Sequence, residues 1–132
     1  MSKAMVPKDL LYTEQHEWVR VEGDGATIGI SDFAQHALGE ITYVELPAVG
    51  AKLAAGKEYA VVESLKAASD VFSPVGGTVV EANESLNDSP NTVNNDPYGA
   101  GWLCKLTGIN KPDLDTLLTP DEYAQLLAKE ES

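Results

Sequence analysis

The sequence predicts a mainly β fold with a few short helices, and three observations carry that expectation. Short stretches of alternating polar and apolar residues recur along the chain. Glycines and prolines separate them at close intervals. Helical periodicity is confined to a brief stretch after Ser31 and to the C-terminal part.

The first strand signal is His16-Glu17-Trp18-Val19-Arg20-Val21-Glu22. Gly23-Asp24-Gly25 turns it into Ala26-Thr27-Ile28-Gly29-Ile30, which makes a hairpin. Ser31 or Asp32 caps a short helix over Phe33 to Leu38, with Gln35 completing a capping box and Gly39 ending it. Further strands are expected at Ile41 to Leu46, Glu58 to Val62, Ser69 to Phe72, Gly77 to Glu81 and Trp102 to Leu106. Pro47, Gly50, Gly56, Pro74 and Gly76-Gly77 punctuate them. The stretch from Ser85 to Gly101, rich in Asn, Asp, Pro and Gly, reads as a long loop, and such loops are often functional.

Pro112 opens a turn carrying Leu114, Leu117 and Leu118. Thr119-Pro120-Asp121-Glu122 then combines an N-cap, a proline at the first helical position and a glutamate at the third. Tyr123, Leu126 and Leu127 follow at helical spacing, so the terminal helices are expected to cover open ends of the β-core. Gly50 to Gly56 and Ser73 to Gly77 are similar strand-turn units around one hairpin, which suggests a folded-over β-sandwich with quasi-twofold symmetry.

A chain of 132 residues suits one domain, with a core over about residues 10–107 and a helical extension over 112–130. Hydrophobic residues at 43% and charged residues at 23% give an ordinary globular balance. No apolar run has transmembrane length, and Met1 to Lys8 has neither an apolar h-region nor an Arg-rich amphipathic pattern. An organellar protein stripped of its leader reads the same way. Cys104 is the single cysteine, which excludes an internal disulfide and points to a reducing compartment. Its alternation with Trp102 and Leu106 makes it a core-facing strand residue rather than a reactive thiol. The sequons at Asn83 and Asn87 are then chance matches. A formal charge of −12 with a pI near 4.3 disfavours nucleic acid and anionic membrane, and suits partners with basic faces as well as plain solubility. No Gly-rich phosphate loop, metal-ligand cluster or nucleophile elbow is present, and His16 and His36 stand apart as surface or packing residues.

The informative stretch runs from Tyr59 to Pro74, where two apolar strand segments flank a small-residue turn holding Lys66. A lysine so placed is mobile at its own bonds and rigidly based, as a covalent swinging arm requires. A lysine amine is protonated at neutral pH, so it is inert until an enzyme deprotonates it and brings an activated acyl group. Ala67 and Ala68 leave room beside it. Any exposed hairpin lysine shares this local pattern, so the pattern alone does not assign the role.

The stretch resembles the lipoyl-attachment segment of the glycine cleavage system H-protein family, and the similarity extends over roughly Leu10 to Leu127. Tyr12-Thr13-Glu14-Gln15-His16-Glu17-Trp18-Val19 is similar to the family's opening strand. Ile28 to Gln35, Leu38 to Ile41, Val44 to Pro47, Val49-Gly50, Asn95 to Tyr98 and Gly101-Trp102 match in order. Two positions depart from it: Leu65 stands where Val or Thr is common, and Gln15 where Ser or a related small residue is common.

The resemblance implies a lipoyl/biotinyl-type barrel-sandwich hybrid with short helices, including a C-terminal one. It implies lipoate attached at Lys66 and aminomethyl-arm contacts from Glu17 and Asp70. Gln15, a departure from the pattern, is expected to add a neutral hydrogen bond to the arm, and Glu63 to serve recognition near the lysine. The implied role is that of a carrier, not an enzyme. It takes the aminomethyl group of glycine from a pyridoxal-phosphate glycine decarboxylase to a tetrahydrofolate-dependent aminomethyltransferase, and dihydrolipoamide dehydrogenase reoxidises it. A lipoyl-attaching enzyme is the fourth partner. A monomer is expected, cytoplasmic in a bacterium or in the mitochondrial matrix for a processed eukaryotic form.

Among the rivals, biotin carriers have methionine on both sides of the lysine, where this chain has Leu65 and Ala67. The lipoyl domains of 2-oxoacid dehydrogenase complexes usually lack the His16-Glu17-Trp18 and Trp102 strands. A free-standing lipoyl domain that serves those complexes or relays lipoate to them is the alternative, and Lys66 would look identical in it.

Overall fold

A computed structural model describes residues 4–131. Nine strands are described: β1 Leu11–Tyr12, β2 Glu17–Glu22, β3 Gly25–Ile30, β4 Ile41–Glu45, β5 Lys52–Leu53, β6 Glu58–Ser64, β7 Ala68–Phe72, β8 Gly77–Ala82 and β9 Cys104–Thr107. Four α-helices join them: α1 Asp32–Leu38, α2 Ser85–Asp88, α3 Thr92–Asn95 and α4 Pro120–Glu131, with a 3-10 segment at Lys111–Thr116. The strands form a six-stranded sheet in the order β1-β2-β3-β9-β8-β5 and a three-stranded sheet in the order β4-β6-β7.

The hairpin read from Gly23-Asp24-Gly25 is present. Glu22 pairs with Gly25, and Gly23 takes φ +66°, the left-handed conformation a two-residue connection needs. One core lies between the sheets. The six-stranded sheet sends in Val19, Ile28, Ile30, Val79 and Leu106, and the three-stranded sheet sends in Ile41, Val44, Ala60, Val62 and Val71. Cys104 is buried in this core, as its alternation implied.

A second cluster of Leu10, Tyr12, Trp18, Tyr98, Tyr123 and Leu127 also takes residues from β1 and β2. It corrects one expectation. Helix α4 does not close an open end of the core; it covers a sheet face, because Tyr123 and Leu127 are the apolar stripe that Tyr12 and Trp18 need as cover. Trp18 and Glu17 do alternate across β2, yet neither faces water, since both faces of the strand are covered there. The Trp18 indole donates to the carbonyls of Ile30 at 2.9 Å and Pro97 at 3.2 Å. Gly29 lies against it, so that a Cβ at that position would meet the ring at 2.9 Å.

The segment read as a loop from Ser85 to Gly101 contains α2 and α3, each a single turn. Leu86 and Val93 anchor them in the core. Asn94 secures α3 further: its Oδ1 accepts the Ile41 N–H, and its Nδ2 donates to Gln35 Oε1 and the Gly39 carbonyl. Ser31 is the N-cap of α1 and accepts the Ala34 N–H. Gln35 therefore lies one position too late to close the capping box, and its amide donates instead to Asp32 Oδ1. At α4 the expected box is complete. Thr119 Oγ1 accepts the Glu122 N–H, and Glu122 Oε1 accepts the Thr119 N–H.

Candidate functional site

Strands β6 and β7 form an antiparallel hairpin paired from Glu58 with Phe72 to Glu63 with Ala68. The connection is closed by Ser64, whose N–H donates to the Ala67 carbonyl at 2.8 Å. Its hydroxyl oxygen accepts the N–H groups of Lys66 and Ala67. One short side chain thus satisfies the backbone of the turn, as serine does in such positions. Leu65 at the tip is 82% exposed. Lys66 is exposed beside it, and its Nζ has no hydrogen-bond or ion-pair partner among the described residues. The Lys66 Cε lies 3.6 Å from where a Cβ on Gly39 would stand, which brings the lysine over the C-terminus of α1.

The outward face of the three-stranded sheet continues from the lysine. Glu63 pairs with Tyr43 and Ala68, and Val61 pairs with Glu45 and Asp70, so these side chains share one face. Asp70 is exposed there, and its charge, with that of Glu45, raises the pKa of Glu58. This face carries Glu45, Glu58, Glu63 and Asp70, a local concentration of the chain's negative charge.

Beyond the far end of β7 is a cleft of about 520 Å³. Gln15 and Glu17 line it together with Phe72, Ser73, Pro74, Gly56 and Leu117. Glu17 is only 3% exposed. Its Oε1 accepts the Thr13 hydroxyl at 2.8 Å, and its Oε2 accepts the Phe72 N–H at 3.0 Å. Burial raises its pKa against the lowering effect of those two donors. Glu17 thus fastens the opening turn to β7. The structure brings Gln15 and Glu17 to one cleft. Asp70 stands two residues up β7 from Phe72, on the exposed face and outside the lining. Glu63 lies at the Lys66 end of β6.

One residue of the site escaped sequence reasoning: Ser64, which its place just before a hairpin tip would have marked. His16 is a packing residue as expected, but its partners were not foreseen: the ring contacts Tyr123, Glu130 and Phe33.

A two-sheet β-sandwich that holds a lone lysine at the tip of a hairpin is the architecture of lipoyl- and biotinyl-type domains. The sequence profile of the glycine cleavage H-protein family matches residues 10–130. This chain belongs to that family. The glycine cleavage system H protein of Carboxydothermus hydrogenoformans is 52% identical over 127 residues, covering 96% of this chain and 98% of the relative. That of Xanthomonas campestris pv. campestris is 58% identical over 123 residues, covering 92% and 94%. A crystal structure of the H protein from Mycobacterium marinum superposes with a TM-score of 0.84 at 38% identity, over 93% of this chain and 99% of the other. The fold is the lipoyl-type barrel-sandwich, and the chain is a lipoyl carrier of glycine cleavage rather than an enzyme. The rival role in 2-oxoacid dehydrogenase complexes is not favoured, because the relatives are named for glycine cleavage. The chain therefore works with other components of that system. Among the described residues no helix is long and apolar enough to cross a membrane.

Proposed function

We propose that Lys66 carries the lipoate. The observation that supports this reading most is an exposed lysine with an unpartnered amine, on a turn braced by Ser64 between two paired strands. The site accommodates the group, since Lys66 is exposed, its neighbours Ala67 and Ala68 are small, and its stem runs beside Gly39. When bound, lipoate supplies a disulfide that accepts the aminomethyl group of glycine and a dithiol that remains after transfer. The chain's own residues position and recognise. Intact mass after expression with lipoate and a lipoyl ligase tests the assignment. The parent should gain one lipoyl group and Lys66→Arg none; a gain in the variant overturns it.

Gln15, Glu17 and Asp70 receive the loaded end of the arm in this reading. From Ala68 to Phe72 the strand covers about 13 Å, a span that a lysine extended by the lipoyl chain bridges. A cationic amine arriving there meets Asp70 beside Glu58, then the carbonyl and carboxylate oxygens of the cleft. Both oxygens of Glu17 already accept one bond and each retains a second lone pair. A charge-assisted hydrogen bond is worth about 1.5–3 kcal/mol, enough to favour the docked arm without trapping it. Spontaneous ammonia release from the loaded carrier should quicken in Glu17→Gln and Asp70→Asn; parent-like lifetimes in both variants would sink this part.

The acidic face with Glu63 and Asp70 docks the partners: the pyridoxal-phosphate decarboxylase, the tetrahydrofolate-dependent aminomethyltransferase, dihydrolipoamide dehydrogenase and the lipoyl-attaching enzyme. The net charge of −12 supports partners with basic docking faces and a monomer, and the single cysteine supports a reducing compartment, the cytoplasm of a bacterium or the mitochondrial matrix. Association with the decarboxylase should slow as salt rises, because rim charges act on the on-rate and are screened over about 8 Å at physiological ionic strength. A rate that stays flat with salt reduces the charge to a solubility device.

A further inference from the structure

The segment Thr13 to Glu17 forms one wall of the cleft, and it turns on a residue with a strained backbone. His16 takes φ +72°, a left-handed conformation that costs a residue with a Cβ and persists only where the surroundings enforce it. Its N–H donates to the Thr13 carbonyl at 3.1 Å, and its carbonyl accepts the Ser31 N–H at 2.9 Å. The ring is held on both nitrogens. Nδ1 lies 2.8 Å from the Tyr123 hydroxyl, and Nε2 lies 3.0 Å from Glu130 Oε1. The Tyr123 hydroxyl lies 2.7 Å from Ser31 Oγ, which also accepts the Ala34 N–H at the cap of α1.

The direction of these bonds follows from the carboxylate at one end. Glu130 only accepts, so Nε2 of a neutral His16 carries the proton and Nδ1 accepts. Tyr123 then donates to His16, and Ser31 donates to Tyr123. Four residues from α1, α4 and the opening turn form one aligned chain in which each bond polarises the next. Both Tyr123 and Glu130 come from α4, and the Tyr123 ring is stacked on Tyr12 at 4.3 Å with 2° between planes. Gln15 and Glu17 flank His16 on either side. A change of its backbone to ordinary negative φ would swing both away from Phe72.

We propose that His16 is a positioning residue for the arm cleft. Thr13 Oγ1 closes the turn locally by accepting the Gln15 and Glu17 N–H groups, each at 3.2 Å. Through Tyr123 and Glu130, helix α4 fixes the His16 corner of it, so tuning the shape of a cleft α4 does not line. What the cleft receives rests on the reading given under Proposed function; the positioning itself does not.

The test reads the Phe72 amide by hydrogen exchange, because that N–H is bonded to Glu17 and needs no arm for its measurement. Three variants of the full chain are compared with the parent. His16→Gly tolerates the left-handed backbone and removes the ring; Tyr123→Phe keeps the packing and breaks the relay; His16→Asn tolerates the backbone and keeps a polar acceptor near Nδ1. Amides of the β2–β3 ladder correct for any change in global stability. The Phe72 amide should exchange about ten- to hundredfold faster in His16→Gly and Tyr123→Phe, the range expected when a bond to a charged acceptor is lost. It should recover substantially in His16→Asn. Corrected exchange equal to the parent's in His16→Gly, or equal acceleration in all three variants, overturns the proposal. The lipoylated, loaded protein then separates the two readings. Faster Phe72 exchange with unchanged ammonia release upholds the positioning and removes the docked arm.

Discussion

Lys66 stands on a turn closed by its own neighbours, whereas His16 stands on a turn that Thr13 closes locally and that distant parts of the chain also hold. At the hairpin, Ser64 satisfies the backbone within four residues, and the side chains beyond it point into solvent. At the opening turn, Thr13 ties Glu17 locally, but the ring of His16 is fixed by Tyr123 and Glu130, more than a hundred residues later. Under the proposed function, the contrast follows from what each end would do. A lysine that reaches several enzymes needs a steady base and a free side chain. A surface that receives the far end of the same arm needs fixed atoms and tolerates strain to have them.

The comparison breaks most readily on the receiving side. Replacing Trp18 with alanine removes the largest buried ring there and both of its hydrogen bonds. It should cost about 3–5 kcal/mol in chemical denaturation. Leu65→Ala at the hairpin tip should stay within about 0.5 kcal/mol of the parent. Comparable losses at the two sites would erase the distinction.

An intermediate effect is expected for Tyr123→Phe. The stack on Tyr12 survives, while the bonds to His16 and Ser31 are lost. A loss of about 1–2 kcal/mol follows from one buried network deprived of its central hydroxyl.

Titration gives a subtler measure. Burial raises the folded pKa of Glu17 above its ordinary 4.5, so the folded state holds that proton more tightly than the unfolded chain. The contribution is fully present below 4.5 and is lost as pH climbs through the raised value. The stability of the parent relative to Glu17→Gln should therefore fall with rising pH across the weakly acidic range. A difference independent of pH would show that the cleft carboxylate is solvated like those beside the hairpin. The smallest effect belongs to that exposed face. Asp70→Asn should lower the titration midpoint of Glu58, because Asp70 is the first cause of its elevation; carbon-detected NMR of the Glu58 carboxyl reads it.

Much of this arrangement was legible in the sequence. Alternation and glycine placement located the β2–β3 hairpin and the strands that carry Lys66, and Thr119 to Glu122 announced the start of α4. Strands β1 and β5 have two residues each and leave no periodicity to read. Helices α2 and α3 are single turns held by Leu86, Val93 and Asn94, so tertiary contacts rather than local propensity define them. Position along β2 also hid the burial of Glu17. Alternation reports which face a side chain takes, and on this strand a helix covers one face while the core covers the other. His16 was opaque for a related reason: its partners Tyr123 and Glu130 adjoin it only after α4 has packed.

The burial of Cys104 has a consequence for the redox chemistry of a protein that carries lipoate. A thiol exchanges with a disulfide only as thiolate, and only if the two sulfurs can meet. Burial pushes the Cys104 thiol up to about 12. At neutral pH about one molecule in a hundred thousand would then hold the thiolate, and the core encloses it in any case. The chain's single sulfhydryl is thereby kept out of circulation. A cyclic disulfide on the same molecule has no internal reductant to open it, and its oxidation state is left to the enzymes that visit.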